Sequence, residues 1–272
     1  MSKGRSKMPG SGTPPQMQPQ QQQVDEFPEA FMPGKDYEAV GGVDHVARRV
    51  SRMTQQEWDQ YQASFGQDLT ASEYADIMKD WDGNGLYGYV RTTNAMELNK
   101  QLFQNPNKTP DQIFSKRTKQ GKRDLATVQT LDKAIANHVT PANGTYYRFC
   151  NPKSLQRSYG LSDSQIALVM QAPNMNAQQL AQLNTALQGS KCINYGYTSV
   201  SANRSLNAFK NPNARQSQGY VIERRIAVKQ GTNAFAPRLN AQESEVIFGR
   251  KFSASFSHIT VEGNHIVIHE RH

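Results

Sequence analysis

The sequence predicts an α+β fold, with helices in the first half and strands in the second. Apolar residues recur at helical spacing between residues 54 and 139, and short apolar segments separated by turn residues follow from residue 145 onward. Helices followed by runs of strands are typical of α+β domains. A chain of 272 residues with 36% hydrophobic content can bury one large core.

Residues 1–34 are predicted to form a disordered tail or a docking arm. They contain six of the 13 prolines and a glutamine run, with almost no apolar periodicity. Basic and acidic side chains cancel in this segment, so the net charge of +8 belongs to residues 35–272. We predict one domain there, with a helical part (35–140) and a strand-rich core (141–272).

The composition indicates which partners the domain would bind and where the protein would be found. A basic domain favours acidic partners such as nucleic acid, an acidic protein surface or a dinucleotide pyrophosphate. No run of about 18 apolar residues and no apolar leader is visible, which predicts neither a membrane span nor general secretion. We therefore expect a cytoplasmic protein, or one that leaves its cell by a specialised route.

No metal site is expected. Cys150 and Cys192 do not form a CxxC pair and have no paired histidines near them in sequence, which argues against zinc and favours reduced core thiols. Asp80–Gly85 resembles the opening of a calcium loop, but Arg91 stands where the twelfth ligand would be glutamate.

Capping patterns and apolar spacing predict the helices of the first half. Thr54–Glu57 and Thr70–Glu73 are capping boxes, and Asp124–Val139 has a clean apolar face. Between them, Lys116–Arg123 is the densest basic cluster, which we interpret as a solvated loop or as a contact for phosphate or nucleic acid.

The second half predicts strands with two helices between them. The predicted helices are Ser162–Met170 and Asn176–Leu187, each with a polar N-cap. The predicted strands are Thr145–Cys150, Lys191–Ser201, Gly219–Lys229, Val246–Phe248, Phe252–Val261 and His265–His269. The loop Gly231–Gln242 contains Phe235, which either contacts a protein substrate or belongs to an ordinary surface loop.

Glu243 and Glu245 precede one of these strands and are the first candidate functional residues. On an extended chain, residues two apart point to the same side, so the two carboxylates would lie together. Their repulsion disfavours this arrangement unless a cationic or electron-poor partner lies between them. The alternative is two solvated glutamates at the edge of a sheet.

Three short motifs resemble a known signature. They are Tyr147-Arg148 on the first strand, the hydroxyl-bearing stretch Gly196–Ser201, and Glu243-Ser244-Glu245. Together they resemble the Arg-Ser-Glu signature of the cholera-toxin-like mono-ADP-ribosyltransferases, in which an aromatic-x-Ser-Thr-Ser motif precedes Glu-x-Glu. One position departs from the pattern, since Val200 replaces the central threonine. The resemblance implies helices packed on two short, mainly antiparallel sheets around an NAD cleft.

The resemblance also implies roles for individual residues. Glu245 would stabilise the ribosyl cation formed from NAD, Ser199 would position Glu245, and Arg148 would bind the pyrophosphate or adenylate part of NAD. Glu243 would orient the acceptor, for which arginine is the leading candidate. Other side chains, a nucleic-acid base and water remain alternatives. The remaining residues assigned to the NAD site are Phe149, Ser201, Phe209 and Arg215.

Two classes of function follow from these motifs. The first is an NAD-dependent mono-ADP-ribosyltransferase of a toxin, an effector or a phage, acting on a protein or a nucleic acid, with an antidote or a delivery partner. The second is a non-enzymatic basic protein that binds phage components or nucleic acid, in which the glutamates are incidental.

Overall fold

The protein has a central β-sheet with helices on both faces. The computed structural model describes Phe27 and residues 37–40, 48–51, 55–65, 93–202, 219–236 and 244–272. The helices are α1 (Gln55–Ala63), α2 (Thr93–Gln104), α3 (Pro110–Ile113), α4 (Lys119–Ala136), α5 (Pro152–Tyr159), α6 (Asp163–Gln171) and α7 (Ala177–Leu187), with a 3₁₀ turn at Ala172–Asn174.

Among the described residues, eight strands form one sheet. They are β3 (Gly144–Cys150), β4 (Lys191–Asn194), β5 (Thr198–Ser201), β6 (Val221–Val228), β7 (Ala234–Phe235), β8 (Glu245–Phe248), β9 (Phe252–Glu262) and β10 (His265–Arg271). Their order in the sheet is β4-β9-β10-β6-β3-β5-β8-β7. The β6–β10 pair is parallel, and the other pairs are antiparallel.

The sheet is narrow at its middle. In the described part of the chain, β3 and β5 are joined through one residue pair, Tyr147 with Ser201. By contrast, β3 pairs with β6 over seven residues. The two sheets expected from the sequence are therefore the two ends of this one sheet, with β4-β9-β10-β6-β3 on one side of the link and β5-β8-β7 on the other.

Three apolar clusters hold the layers together. Helices α2 and α4 cover Tyr197, Phe235 and Ile247 on the β5-β8-β7 side. Helices α5 to α7 cover the other side, where residues such as Ile222 and Ile268 are buried. The third cluster includes residues from both ends of the sheet. Burial of such side chains contributes on the order of 1.5–3 kcal/mol each.

Polar caps fix the ends of the helices, as the sequence predicts. Ser162 and Asn176 each accept a hydrogen bond from the backbone three residues later and complete capping boxes at α6 and α7. Helix α1 begins at Gln55, one residue after the predicted cap Thr54, which lies outside the described residues.

Several segments differ from the sequence-based prediction. Helix α4 begins at Lys119 instead of Asp124, because the Thr118 side chain caps it by accepting a hydrogen bond from the Gly121 N–H. Residues 191–201 form two strands instead of one. Helix α5 was not predicted, and the segment 35–140 also contains a two-stranded sheet of β1 (Tyr37–Val40) and β2 (Arg48–Ser51).

Two predicted features of the N-terminal half lie mostly outside the described residues. The tail 1–34 is described at Phe27, whose carbonyl accepts a hydrogen bond of 2.6 Å from the Thr145 hydroxyl at the start of β3. The calcium-like stretch Asp80–Gly85 and the capping box Thr70–Glu73 lie outside them entirely.

Candidate active site

A serine and a glutamate meet on adjacent strands of the β5-β8-β7 side. In the antiparallel β5–β8 pair, Ser201 is opposite Glu245, so Ser199, Ser201 and Glu245 share one face of the sheet. The Ser199 Oγ–H donates a hydrogen bond to Glu245 Oε1. Glu245 is only 4% exposed. The serine therefore holds a nearly buried carboxylate in a defined position.

Arg148 reaches this pair from the neighbouring strand. It lies on β3, is half-buried, and donates from Nη1 to the carbonyl oxygen of Ser199 at 3.0 Å. A guanidinium has five N–H donors in a fixed plane, which suits recognition of phosphate oxygens. The structure thus brings Arg148, Ser199 and Glu245 together, although they are far apart in the chain.

A buried ion pair lies beside Arg148. In the β3–β6 pair, Arg224 is directly opposite Arg148. Two hydrogen bonds of 2.8 Å run from Arg224 to the Glu270 carboxylate, which also accepts one from the Tyr159 hydroxyl. Burial would lower the pKa of Arg224, but Glu270 raises that pKa well above its ordinary value. Glu270 therefore compensates a second arginine charge beside Arg148.

Both cysteines lie near this ion pair and are free and buried. Arg224 Nη2 donates to Cys192 Sγ at 3.0 Å. Burial raises the pKa of the Cys150 thiol to about 11, against a smaller opposing effect of Arg224. Cys150 is therefore protonated at neutral pH and is not suited to act as a nucleophile.

Two helices support the start of β5, two residues before Ser199. The Tyr197 N–H donates to Asn99 Oδ1 at 2.8 Å, and the Tyr197 hydroxyl lies 2.7 Å from Asp132 Oδ1. Asp132 also accepts a hydrogen bond of 2.6 Å from Arg250. A Cβ at Gly196 would lie 2.3 Å from Asn99 Oδ1, so only glycine permits this close approach.

Ser244, which lies between the candidate residues Glu243 and Glu245 in the chain, has an unusual backbone conformation. Ser244 has φ of 42°, in the left-handed region, and is fully buried. Its carbonyl accepts a hydrogen bond of 2.8 Å from the Ala202 N–H. The prediction for Glu243 and Glu245 assumed an extended chain, but the chain is not extended at Ser244, and Glu243 itself lies outside the described residues.

The other predicted site residues are placed as follows. Ser201 is 5% exposed and lies opposite both Tyr147 and Glu245. The ring of Phe149 packs edge-on against His265, with ring centroids 6.2 Å apart, on the polar face of β6 and β10. Glu243, Phe209 and Arg215 lie outside the described residues.

One prediction about the preceding loop is corrected. Phe235 is not available to a protein substrate, because it lies in β7, pairs with Ile247 and is 1% exposed. Its apolar neighbours in the chain, Ala234 and Ala236, are also buried.

Sequence patterns did not indicate the supporting roles of Asn99, Asp132, Arg224, Glu270 and Ser244. Gly196 was the one local signal, because a glycine inside a predicted strand indicates close backbone approach. The partners of the others lie between 32 and 118 positions away in the chain, and local sequence patterns do not report such distant contacts.

The described residues offer neither a cluster of metal ligands nor a membrane-spanning helix. Across the described residues, no group of three or more His, Cys, Asp or Glu side chains is placed to hold a metal ion. None of the helices described is both long enough and apolar enough to cross a membrane.

Comparison with known proteins identifies the family. The model of the ADP-ribosyltransferase exoenzyme family matches residues 62–271. No curated protein sequence matches the chain. C3stau2 from S. aureus, solved with NAD, is 19% identical, with a TM-score of 0.57 over 80% of this chain and 95% of that one. The C3 exoenzyme of Clostridium limosum is 20% identical, with a TM-score of 0.51 over 80% of this chain and 94% of that one.

These matches confirm three expectations from the sequence: the α+β fold of an ADP-ribosyltransferase, an enzymatic function, and NAD as a substrate. At this level of identity the two solved structures establish the fold, and the family match establishes the enzyme class. A non-enzymatic binding protein is therefore no longer the competing interpretation. The chain belongs to the ADP-ribosyltransferase exoenzyme family, whose members are enzymes that transfer ADP-ribose from NAD.

Proposed function

We propose that this protein is a mono-ADP-ribosyltransferase that moves ADP-ribose from NAD to an arginine side chain of a protein and releases nicotinamide. The observation that carries the proposal is the hydrogen bond from Ser199 to the nearly buried carboxylate of Glu245, with Arg148 bound to the backbone of the same serine.

Glu245 stabilises the charge that develops when NAD is cleaved. As the bond between C1′ of the ribose and the nicotinamide nitrogen breaks, its electron pair leaves with nicotinamide, and the ribosyl carbon becomes positive. A fixed carboxylate beside that carbon stabilises charge that exists mainly in the transition state. Ser199 holds the carboxylate in place, so no reorganisation is needed as the charge forms.

Arg148 binds the NAD pyrophosphate. Its guanidinium plane supports two parallel hydrogen bonds to phosphate oxygens, and its bond to the Ser199 carbonyl links the position of the phosphates to that of Glu245. Phe149, Ser201, Phe209 and Arg215 complete this site in the proposal. Ser201 is supported by its position opposite Glu245.

Glu243 acts on the acceptor. An arginine guanidinium is charged in water and must lose a proton to attack the ribosyl carbon. A carboxylate beside it can orient the guanidinium and accept that proton. Glu243 immediately precedes Ser244. The left-handed backbone at Ser244 therefore lies between Glu243, which acts on the acceptor, and Glu245, which stabilises the ribosyl cation.

The first test is the substitution Glu245→Gln. Removal of the negative charge should reduce nicotinamide release from NAD about 100- to 1,000-fold, an effect typical of a lost electrostatic contact in a transition state. The free energy of unfolding should change little, and NAD should still bind. Unchanged nicotinamide release in a folded Glu245→Gln protein would reject the assigned role.

The second test concerns the acceptor. Glu243→Gln should abolish transfer of label from NAD to agmatine, a small guanidinium compound, while nicotinamide release in water persists. Equal loss of both activities would instead place Glu243 in NAD cleavage.

Nucleic acid is the second candidate acceptor, because the exposed cations of residues 116–123 are suited to bind it. Labelled NAD incubated with lysate and then with protease or nuclease separates the two candidates. Label that is removed by nuclease and retained after protease treatment would reject the protein acceptor.

The family match supports a proposal about the biological setting. We propose that the protein acts as a toxin, an effector or a phage-borne enzyme, delivered to the cytoplasm of a target cell, with a protein substrate and an antidote or delivery partner. Pull-down of the inactive Glu245→Gln protein from cells that do or do not produce it would identify such partners.

A further inference from the structure

Charge is concentrated in one short segment of the folded protein. Residues 108–123 contain six basic side chains and one acidic side chain, so more than half of the net charge of +8 lies there. We call five of these residues, which are all exposed, the basic surface. They are Lys116, Arg117, Lys119, Lys122 and Arg123.

The backbone of the basic surface is held in one conformation. A Cβ at Gly121 would lie 2.1 Å from the Ser115 carbonyl oxygen, so the loop before α4 packs directly on the first turn of that helix. Thr118 caps the helix, and Phe114, which is 2% exposed, anchors the loop in the core. The charges of the loop and of the helix therefore lie side by side on one surface.

This arrangement does not stabilise the folded protein. The N-terminus of a helix has a partial positive charge, so Lys119, Lys122 and Arg123 are in an unfavourable position there. Within the described residues, Lys116 pairs with Asp111 at 2.5 Å, and the other four cations have no carboxylate within ion-pair distance. An unfavourable concentration of like charge indicates that an anionic partner compensates it.

The basic surface is separate from the candidate active site. Tyr197, which supports the catalytic strand, contacts α4 at Asp132, 13 residues after Lys119. At 1.5 Å per residue, Lys119 and Asp132 are about 20 Å apart along the helix. Changes at the basic surface should therefore leave NAD cleavage intact.

We propose that the basic surface binds the phosphate backbone of double-stranded nucleic acid without reading its sequence. Lys122 and Arg123 lie one turn from Lys119, at i+3 and i+4, with Cβ atoms about 5–6 Å from that of Lys119, so the three cations can contact one phosphate backbone together. This inference does not depend on which group accepts ADP-ribose.

The basic surface has neither large exposed apolar side chains nor exposed aromatic rings, and this favours a duplex over a membrane or a single strand. The exposed large apolar side chains of the described residues are Val139 and Leu168, and neither belongs to the basic surface. Insertion into a membrane surface requires apolar side chains beside the cations, and single-strand binding relies on exposed aromatic rings for stacking. The basic surface supplies charge without either of these.

The test measures binding of labelled duplexes of about 20 base pairs, one of DNA and one of RNA, by the full chain at about 50 to 200 mM salt. The variant is Lys119→Gln, Lys122→Gln and Arg123→Gln together. The control is Lys153→Gln, Lys191→Gln and Lys229→Gln together, which removes the same charge from exposed positions elsewhere. The two duplexes distinguish DNA from RNA as the source of the phosphates.

We expect the variant to bind the duplexes at least about tenfold more weakly at low salt. The number of counterions released on binding, obtained from the salt dependence of the affinity, should fall by about two to three. The control should change affinity by less than about threefold. Nicotinamide release should be the same in all three proteins, and the Tm of the variant should be equal or higher, since unfavourable charges are removed from the helix N-terminus.

Three outcomes would overturn the proposal. In the first, the variant and the control lose the same amount of duplex affinity. In the second, the unmodified protein binds neither duplex at about 50 mM salt. In the third, the variant loses binding to phosphatidylserine vesicles but still binds the duplexes. Intact duplex binding by a protein that releases no nicotinamide would reject the proposed function and leave this inference standing.

Discussion

The two ends of the eight-stranded sheet are built differently, although both contribute to the candidate active site. On the side that carries Arg148, strands β3, β6, β9 and β10 have 7, 8, 11 and 7 residues, and the edge strand β4 has 4. On the side that carries Ser199 and Glu245, strands β5, β8 and β7 have 4, 4 and 2 residues. A single residue pair in the described chain joins the two sides.

This difference indicates that the two sides of the sheet have different roles. The long-strand side stabilises itself through extended ladders and the Arg224–Glu270 ion pair, and it presents the residue proposed to bind NAD. The short-strand side depends on side chains from α2 and α4, and it presents the residues proposed for the chemistry. Damage to the first should therefore reduce stability, and damage to the second should reduce kcat.

The largest effect is expected for Glu270→Gln on the long-strand side. Removal of one partner of a buried ion pair leaves the Arg224 charge uncompensated and should lower the free energy of unfolding by about 3 kcal/mol. The kcat for nicotinamide release per folded molecule should stay within about threefold of the unmodified value. Chemical denaturation and single-temperature kinetics measure both quantities.

Glu262→Gln is the matched control for this prediction. Glu262 pairs with Arg225, but its side chain is 40% exposed, so its loss should lower the free energy of unfolding by less than about 1 kcal/mol. Equal losses for the two variants would contradict the structural importance assigned to the buried pair.

The second effect is expected for Tyr197→Phe on the short-strand side. This change removes the hydroxyl that contacts Asp132 and the Val128 carbonyl, and it should lower the free energy of unfolding by about 1–2 kcal/mol. Unlike Glu270→Gln, it should also reduce kcat several-fold, because Ser199 follows two residues later. Stability loss without any change in kcat would show that the two sides do not differ as we propose.

The third effect isolates the backbone of Ser244. Ser244→Ala and Ser244→Gly both remove the hydroxyl, but alanine keeps a Cβ, which disfavours the left-handed region by about 1 kcal/mol relative to glycine. If this backbone conformation positions Glu245, the glycine variant should have about fivefold higher kcat than the alanine variant, with similar KM. Identical kcat values would show that the turn is only structural.

The smallest effect concerns pH and the long-strand side. Burial, with the neighbouring His258, lowers the pKa of His269 from 6.5 to about 4. At pH 7 the imidazole is neutral in both the folded and unfolded states. As pH falls from about 6.5 to 4, the unfolded state takes up a proton that the folded state does not, so stability is lost.

The variant His269→Gln should remove this loss and can keep the contact to the Thr260 hydroxyl. Between pH 7 and pH 5.5, the unmodified protein should lose up to about 1 kcal/mol more of its free energy of unfolding than the variant does, after allowance for solvent screening. Denaturation curves at the two pH values measure the difference, and equal pH dependence would contradict the assignment.

Local patterns in the sequence predicted most of the strands. Alternation of apolar residues and turn residues located β3, β6, β8, β9 and β10 to within a few residues. The meeting of Arg148, Ser199 and Glu245 was expected from the resemblance of their motifs to a family signature, and the structure links the three residues through two hydrogen bonds.

The features that were missed depend on contacts between distant segments. Helix α4 begins before Asp124 because Thr118 caps it, and Gly121 in its first turn permits the close approach of Ser115. The left-handed backbone of Ser244 has no sequence signal, since serine rarely adopts it. The partnership of Arg224 with Glu270 depends on β10 lying beside β6, which the order of the strands along the chain does not indicate.

The position of β10 also has a consequence for biosynthesis. This strand is the last of the eight along the chain, yet it lies inside the sheet, between β6 and β9. While the protein is being translated, β6 therefore lacks one neighbour until residues 265–271 have emerged from the ribosome. The Arg148 strand and its buried counterion cannot assemble before then, so a partly synthesised chain should have no ADP-ribosyltransferase activity in the cell that makes it.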